Sequence, residues 1–378
     1  MRSNPPLTGL QVEIADDHLT VASKTPLLVL SSAVLNGGLR RANNILIKRV
    51  RENLRCRDPQ AYLSKAAAML HLEPAMTIGF MTAADPRNLG FSNFESANVK
   101  VSAIVTAGTS NAAKAGERVR TSKSEIGTVN TIVLTNAKIA DGCFVNALQT
   151  ATEAKALAFR ELDIRSSNSG EEATCTSSDS TLVGSTGEGI ECAYAGVATD
   201  LGRLIAKAVN QAVKEAIIKQ DRLLPHRGLL DRLRERGITL EDLEDAFLEM
   251  YIHHKTMGTR KGVRKTFRKL FEEAASDHNV AALVMAALRL EDDGRLGLIP
   301  GLSEAAFARD PVSLLADEIV GTAISNYIAG SKGLFEYVRF DQKKPGIVRK
   351  LGPFADDAIG ALVAGTSSNV YSKLLRQR

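Results

Sequence analysis

The sequence predicts two domains, an N-terminal α+β domain with a mixed sheet and helices, and a C-terminal all-α domain. Its 378 residues exceed the usual size of one domain and suit two. Strand-like alternation of apolar and polar residues occurs only in the first part of the chain, and residues after 227 show helical periodicity alone. Pro225 interrupts a helical pattern just before that point. We therefore place the domains at residues 1–222 and 227–378.

The first domain is predicted to combine several strands with a few helices. Short alternating or apolar runs indicate strands at 10–23, 27–32, 76–82, 99–108 and 128–136. Strong helix formers and apolar positions three or four residues apart indicate helices at 61–70, 147–162 and 194–220. The sequence Asn36-Gly37-Gly38 is typical of a turn, and the polar segment 166–180 is typical of a loop.

The second domain is predicted to be helical throughout. Its first helix should end at Gly237, because glycine adopts the left-handed conformation that closes many helices. Thr239 should cap the next helix, with the negative charge of Asp242 in the first turn. The remaining helices are predicted at 262–275, 277–290, 312–330 and 355–374.

The overall composition is that of an ordinary globular protein. Hydrophobic residues make up 44% of the chain and the net charge is +5, with neither half strongly basic, so composition does not indicate a nucleic-acid-binding protein. No apolar run approaches the roughly 18–20 residues of a membrane span, and no signal peptide is recognisable at the start. The four cysteines form no CxxC pair. We expect a reduced, cytoplasmic setting and small-molecule substrates.

Carboxylates gathered around lysines are the most informative pattern of the second domain. Asp341 and the pair Asp356-Asp357 flank a basic turn at 343–346, and the pair Asp317-Glu318 precedes them. Carboxylates bind hard divalent cations, and the cation and lysines together neutralise a phosphate. Each residue also has a simpler explanation, because aspartates often cap helices and lysine pairs are usually solvated. Adjacent residues on a helix diverge by about 100°, so Asp317 and Glu318 should not face one point identically.

The order DEIVG, RFDQKKP and then DD before AIGALVAG resembles the phosphatidylglycerophosphatase A family and its soluble archaeal branch, the α-ribazole-phosphate phosphatases. The resemblance implies a Mg²⁺-dependent phosphatase acting on a soluble monoester, because the apolar membrane helices of the lipid enzymes are not found. It implies catalytic roles for Asp317, Glu318 and Asp341. The implied metal ligands are Asp317, Glu318, Asp341, Asp356 and Asp357. Phosphate binding is expected of Arg339, Lys343 and Lys344.

Loops rich in Gly, Asn, Thr and Ser follow several strands of the first domain, and backbone amides in such loops bind anions and carbonyl groups. Five segments carry a closer pattern, namely NGG at 36–38, AGTSNAAKAG at 107–116, NTIVLTNA at 130–137, TEAKALA at 152–158 and the YAG block from 194. They resemble the adenosylcobinamide amidohydrolase family. Cys175 and Ser177 depart from its pattern, because they stand where the family has glycines. The resemblance implies hydrolysis of the amide that joins aminopropanol to a corrin ring.

Amide hydrolysis needs an activated water and a group that stabilises the oxyanion. We expect Glu153 or Asp179 as general base and Asn111 as the oxyanion contact, although a solvated Glu153 and a loop-capping Asp179 are equally open. Cys175 is an alternative nucleophile. The turn residues Asn36, Gly37 and Gly38 are expected to bind substrate, and no cofactor is expected in this domain. Together the two resemblances imply a bifunctional hydrolase of cobalamin assembly.

A helix–turn–helix regulator is the alternative from another functional class. Residues 232–247 suit two helices joined by a short turn, and residues 255–269 contain seven basic residues and no acidic one. Against this reading, Glu241, Asp242, Glu244 and Asp245 lie on the helix that would enter the DNA groove. Their negative charges would repel phosphates.

Overall fold

The structure is a computed structural model that describes residues 2–3, 7, 9–51, 54, 56–96, 98–119, 127–253 and 257–376. The chain forms two compact units, Met1–His226 and Arg227–Arg378. As the sequence predicts, the first unit is a mixed sheet with helices and the second is helical. No helix in the described ranges is both long enough and apolar enough to cross a bilayer.

The first unit contains both strands and helices, interspersed along the chain. The strands are β1 (Arg2–Ser3), β2 (Leu10–Ile14), β3 (His18–Ser31), β4 (Gly38–Arg49), β5 (Thr77–Thr82), β6 (Gly90–Ser96), β7 (Val99–Gly108), β8 (Ala112–Ala113), β9 (Thr128–Thr135), β10 (Lys138–Ile139), β11 (Cys175–Thr176), β12 (Ser180–Ser185) and β13 (Glu191–Cys192). The helices are α1 (Pro59–Met69), α2 (Asp141–Glu161) and α3 (Asp200–Asp221). Short 3₁₀ turns occupy Pro74–Met76 and Pro86–Asn88.

The main sheet has the order β1-β2-β3-β12-β9-β7-β6, and β4 links β3 to β5. β12 runs parallel to β9 with Ser180 opposite Asn130, and antiparallel to β3. Helices α2 and α3 cover one face of this sheet, where Val129, Val133 and Val183 are buried. The residues that alternate with them face a second apolar core shared with β3, β4 and β5. Each central strand is thus buried on both faces.

The second unit consists of helices packed around one central helix. They are α4 (Leu229–Arg234), α5 (Leu240–Met250), α6 (Arg260–Ala275), α7 (His278–Arg295), α8 (Glu304–Phe307), α9 (Ala316–Ala329), α10 (Ser331–Lys343) and α11 (Pro353–Arg376), with a 3₁₀ turn at Val348–Lys350. All residues of α11 from Pro353 to Ser368 are buried, and α9 and α10 are its main packing partners. The predicted capping of α5 is confirmed, because Thr239 and Asp242 form a reciprocal capping box.

Several elements differ from the sequence prediction. The strands β4, β6 and β12 were not predicted, and β4 escapes recognition because its first four residues, Gly38–Arg41, are exposed and include two arginines. Helix α10 was also missed, since its exposed positions interrupt the apolar pattern. The third helix begins at Asp200 rather than at 194, because Thr199 caps it and accepts a hydrogen bond from Gly202 N. Helix α2 begins six residues before the predicted start.

Candidate active sites

A cavity of about 160 Å³ lies in the first unit where β9 and β12 begin. One wall is polar and is formed by Thr128 and Asn130 of β9 and by Ser178 and Ser180 beside them. The remaining lining residues are mainly apolar, namely Val34, Val50, Leu54, Met81, Thr82 and Ala83. Small polar groups on one side and apolar groups on the other suit a short polar arm of a substrate.

Asp179 lies between the two serines but points to the opposite face of the sheet. It forms a buried ion pair with Lys155 of α2, whose side chain is only 8% exposed. The same carboxylate accepts hydrogen bonds from the Thr176 hydroxyl, from Thr176 N at 3.2 Å and from Val129 N at 3.1 Å. These contacts hold the start of β12 against β9 and α2. Asp179 therefore fixes the direction in which its two serine neighbours point.

Asn111 lies in the same region of the unit. Its amide nitrogen donates to the Ser177 hydroxyl at 2.6 Å, and its Oδ1 atom is buried with no hydrogen-bond partner among the described residues. Asn111 thus contacts Ser177, two residues before Asp179, so both predicted residues lie at the loop of residues 177–179. Cys175 lies at the edge of this loop, and its thiol contacts Ala113 O at 3.4 Å.

The remaining predicted residues of the first unit have other surroundings. Glu153 is exposed on α2. Asn36 adopts a left-handed conformation with φ of 55°, and its amide donates at 2.8 Å to Pro74 O and to Thr77 O, which anchors the turn. A Cβ atom at Gly37 would lie 2.6 Å from Ala33 O, so this position requires glycine. Gly38 has a φ of 93°. These contacts fix the turn that follows Val34, a residue of the cavity wall.

Two residues of this region were missed in the sequence, and each left a signal. Lys155 is a charged residue whose apolar neighbours in TEAKALA predict a buried helix face, which requires a partner for its charge. Asn130 is an amide within the apolar run of β9 and is 2% exposed. A polar side chain in the middle of a buried strand costs free energy unless it is hydrogen-bonded. Both patterns therefore mark positions where packing alone does not explain the residue.

The second unit brings three of the predicted acidic residues to one point. Asp317 and Glu318 begin α9, Asp357 lies in the first turns of α11, and one carboxylate oxygen of each lies within 4.8 Å of the other two. Asp317 and Asp357 are buried, whereas Glu318 is exposed. The longer side chain of Glu318 compensates for the divergence of adjacent helix positions. Oxygen donors of this kind fit Mg²⁺ or Ca²⁺.

Tyr337 of α10 holds Asp357 in place. Its hydroxyl donates to Asp357 Oδ1 at 2.6 Å in a fully buried position. Gly321 of α9 makes room for it, because a Cβ atom there would lie 2.4 Å from the Tyr337 hydroxyl oxygen. This hydrogen bond uses one of the two carboxylate oxygens of Asp357. The glycine of DEIVG is therefore explained by the tyrosine opposite it.

Lys344 connects the acidic group to a neighbouring loop. It adopts a left-handed conformation with φ of 42°, and its ammonium lies 2.5 Å from Asp356 Oδ2 and 3.2 Å from Asp310 Oδ2. The other oxygen of Asp356 is buried and has no hydrogen-bond partner within the described parts of the chain. Burial raises the pKa of Asp356 to about 7 although Lys344 opposes the shift. Asp356 thus faces the lysine directly.

Burial raises the pKa of other carboxyl groups of the cluster. The pKa of Asp357 rises to about 6, chiefly through burial, and the nearby charges of Asp341 and Glu318 add to the rise. Burial also raises the pKa of Asp317 well above its ordinary value, and the adjacent Glu318 adds to it. The pKa of Asp341 is raised by burial and by Glu318, and lowered by Lys344. Ionisation of these carboxyl groups is therefore unfavourable in the folded protein without a counter-charge, and a bound cation would offset that cost.

Arg339 and Lys343 do not join the acidic group. Tyr337 and Asp341 share one face of α10, Lys344 follows the last residue of the helix, and residues 339 and 343 lie on the face opposite Tyr337 and Asp341 by helical spacing. Arg339 pairs with Glu336 at 2.7 Å and donates to Met250 O at 3.2 Å. Both residues line a separate cavity beside the end of α5. Of the three basic residues expected to bind phosphate, only Lys344 lies at the carboxylates.

Comparison with known proteins gives matches to both named and uncharacterized relatives. The model of the adenosylcobinamide amidohydrolase family matches residues 5–225. A Methanosarcina mazei protein named adenosylcobinamide amidohydrolase is 28% identical over 190 residues, which are 49% of this chain and 88% of that protein. The uncharacterized protein MJ1330 of Methanocaldococcus jannaschii is 36% identical over 131 residues, 34% of this chain and 98% of that protein. MJ1613 of the same organism is 48% identical over 103 residues, 27% of this chain and 40% of that protein.

Solved structures resemble the chain only weakly. The low temperature requirement C protein from Listeria monocytogenes is 24% identical with a TM-score of 0.34, and the match covers 38% of this chain and 93% of the Listeria chain. A β-aminopeptidase from Burkholderia sp. is 14% identical with a TM-score of 0.29, and the match covers 62% of this chain and 90% of the aminopeptidase chain. These scores are too low to indicate a shared function. The family match, in contrast, spans more than half of the chain, which therefore belongs to the adenosylcobinamide amidohydrolase family.

Proposed function

We propose that the first unit hydrolyses the amide of adenosylcobinamide to give adenosylcobyric acid and aminopropanol. The observation that supports this is the convergence of three family-like segments on one end of the sheet. The loop at 107–116, the start of β9 and Lys155 of α2 lie at the cavity or at the Asp179 loop, and the turn at 36–38 follows Val34 of the cavity wall. The family to which the chain belongs is named for this reaction.

The size of the cavity decides which part of the substrate enters. A volume of about 160 Å³ is well below the roughly 300–1,000 Å³ of pockets that enclose a whole drug-sized ligand. It accommodates the aminopropanol arm and its amide, while the corrin ring stays outside. The hydroxyls of Thr128, Ser178 and Ser180 then face the amide and the attacking water. The described cavity wall has no ionisable side chain, and Asp179 points away from it, so Asp179 acts by holding the serines in place and not as a base in contact with the attacking water.

The test compares the two bases that the sequence suggested. Purified protein is incubated with adenosylcobinamide, and aminopropanol release is measured for wild type, Asp179→Asn and Glu153→Gln. We expect Asp179→Asn to lower kcat by at least about 100-fold, because it removes the partner of Lys155 and the anchor of the serines. Glu153→Gln should stay within about twofold of wild type because the side chain is solvent-exposed.

Failure of the wild type to release aminopropanol would refute the proposed activity. Loss of activity in Glu153→Gln with Asp179→Asn intact would instead assign the base to the exposed face of α2. The thermal midpoint of each variant is measured alongside, since Asp179→Asn leaves Lys155 buried without its carboxylate, a change that costs about 3–5 kcal/mol.

For the second unit, we propose a Mg²⁺-dependent phosphomonoesterase that converts α-ribazole phosphate to α-ribazole. The group of Asp317, Glu318 and Asp357 supports this, because three carboxylate oxygens within 4.8 Å suit a hard cation. These residues would hold Mg²⁺, which when bound supplies charge for the phosphoryl oxygens. Lys344, which pairs with Asp356, contributes a further positive charge. Asp341 interacts electrostatically with Glu318 and Lys344. It orients the attacking water.

Free phosphate release from α-ribazole phosphate is the test, with Mg²⁺ and with a chelator. Asp357→Asn should lower phosphate release by at least about 1,000-fold and leave aminopropanol release unchanged, because the acidic group serves only the second reaction. Asp293→Asn, an exposed aspartate of α7, is the matched control and should retain activity. Equal activity with and without the chelator would contradict the metal requirement.

A further inference from the structure

We propose that Asn130 recognises the scissile amide of the substrate by accepting a hydrogen bond from its N–H group. This inference rests on the proposed amidohydrolase activity of the first unit and adds a residue that the sequence motifs did not single out for a role. Asn130 lies in the polar wall of the cavity, opposite Ser180 across the parallel strand pair. It is therefore placed where the aminopropanol arm enters.

The surroundings of Asn130 fix which end of its amide faces the cavity. All eight residues of β9 are buried, and Asn130 is 2% exposed. Its Nδ2 donates to Met81 O at 2.9 Å and lies 3.5 Å from the Thr106 hydroxyl oxygen. A backbone carbonyl can only accept, so the nitrogen must face Met81. The Oδ1 atom receives no hydrogen bond from the described residues and is the side-chain polar atom left for the cavity.

A buried acceptor of this kind suits the chemistry of an amide. Hydrolysis adds water to the carbonyl carbon, breaks the C–N bond and transfers a proton to the nitrogen, which leaves as an amine. The nitrogen carries one hydrogen in the substrate and gains another as it leaves. An acceptor at Oδ1 therefore holds the nitrogen before bond cleavage and binds it more strongly as its positive charge develops. An ester oxygen has no hydrogen to donate and cannot use this contact.

The difference between amide and ester gives the test. Wild type and Asn130→Leu, which keeps the size of the side chain, are assayed with adenosylcobinamide and with the ester of adenosylcobyric acid and propane-1,2-diol. We expect kcat/KM for the amide to fall by roughly 10- to 100-fold in Asn130→Leu, as for a lost hydrogen bond to a polarised group. The ester should lose less than about threefold, because it never made that bond.

Thr131→Val is the matched control for packing. Thr131 is the next residue of β9, faces the opposite side of the sheet, and has a buried hydroxyl without a hydrogen-bond partner among the described residues. The Thr131→Val variant should hydrolyse both the amide and the ester like wild type. If Asn130→Leu does not fold, Asn130→Ser replaces it, since its short hydroxyl cannot reach the same point.

Equal losses on amide and ester would overturn the role of Asn130 while leaving the proposed activity intact. A wild type that releases no aminopropanol would overturn the proposed activity and this inference together. A loss confined to the amide supports the proposal, because a merely structural role would reduce both reactions alike.

Discussion

At the scale of single residues, the two units solve the burial of charge in different ways. Lys155 and Asp179 neutralise each other, and the backbone amides of Thr176 and Val129 satisfy the remaining lone pairs of the carboxylate. In the second unit the acidic side chains outnumber the lysine beside them, so burial raises their pKa values instead. The first arrangement is stable by itself, whereas the second favours the arrival of a cation.

Tyr337 gives the sharpest prediction for a single residue. Its hydroxyl orients Asp357, and groups that orient metal ligands typically change metal affinity by about 10- to 100-fold. Tyr337→Phe should therefore weaken Mg²⁺ binding by that factor, measured by calorimetry and by the Mg²⁺ concentration that gives half-maximal phosphate release. Tyr327→Phe, which removes a hydroxyl bonded to Asn279 and Asp277 on the exposed surface, should leave both values unchanged. Unchanged Mg²⁺ affinity in Tyr337→Phe would contradict the positioning role.

At the scale of elements, part of the basic stretch of α6 is neutralised by α5. Arg264 and Arg268 both pair with the buried carboxylate of Glu244, and Arg264 also bonds Asp245. Asp242 is used in the capping box of α5. These contacts join the two helices and occupy two of the basic residues that a DNA-binding reading would assign to phosphates. Lys255, which belongs to the same predicted stretch, lies outside the described residues.

This pairing predicts weak and nonspecific association with DNA. In a gel-shift experiment at about 0.15 M salt, no discrete complex is expected at micromolar protein, because α5 occupies two of the arginines and its acidic residues repel phosphates. Arg264→Glu with Arg268→Glu would destabilise the α5–α6 contact and serves only as a folding control. A sequence-dependent complex that survives physiological salt would support the regulator alternative.

At the scale of the whole molecule, the acidic group links stability to pH and Mg²⁺. The pKa values of Asp356 and Asp357 rise from 3.8 to about 7 and about 6, respectively, so between roughly pH 4 and pH 7 the folded state holds more protons than the unfolded chain. Raising the pH through this interval therefore lowers the free energy of unfolding. Mg²⁺ binds the ionised carboxylates and opposes the loss.

Thermal unfolding at pH 5 and pH 8, with and without Mg²⁺, tests this linkage. Without the cation, the midpoint of the second unit should be lower at pH 8 than at pH 5. The increase on adding Mg²⁺ should be larger at pH 8, because protons compete for the carboxylates at pH 5. Asp357→Asn should abolish most of that increase. A larger effect of Mg²⁺ at pH 5 would contradict the proposed ligands.

The sequence by itself determined the fold class and most helices of the second unit, and its five candidate acidic ligands include the three that the structure brings together. Local signals suffice for these, since periodicity, caps and turns act over a few residues. Only the tertiary structure decided which side chains meet. Strand alternation turned Asp179 away from the cavity and Asn130 toward it, and helix geometry separated Arg339 and Lys343 from Lys344. Such outcomes depend on contacts between residues far apart in the chain, as between Lys155 and Asp179 or Tyr337 and Asp357, which no local pattern encodes.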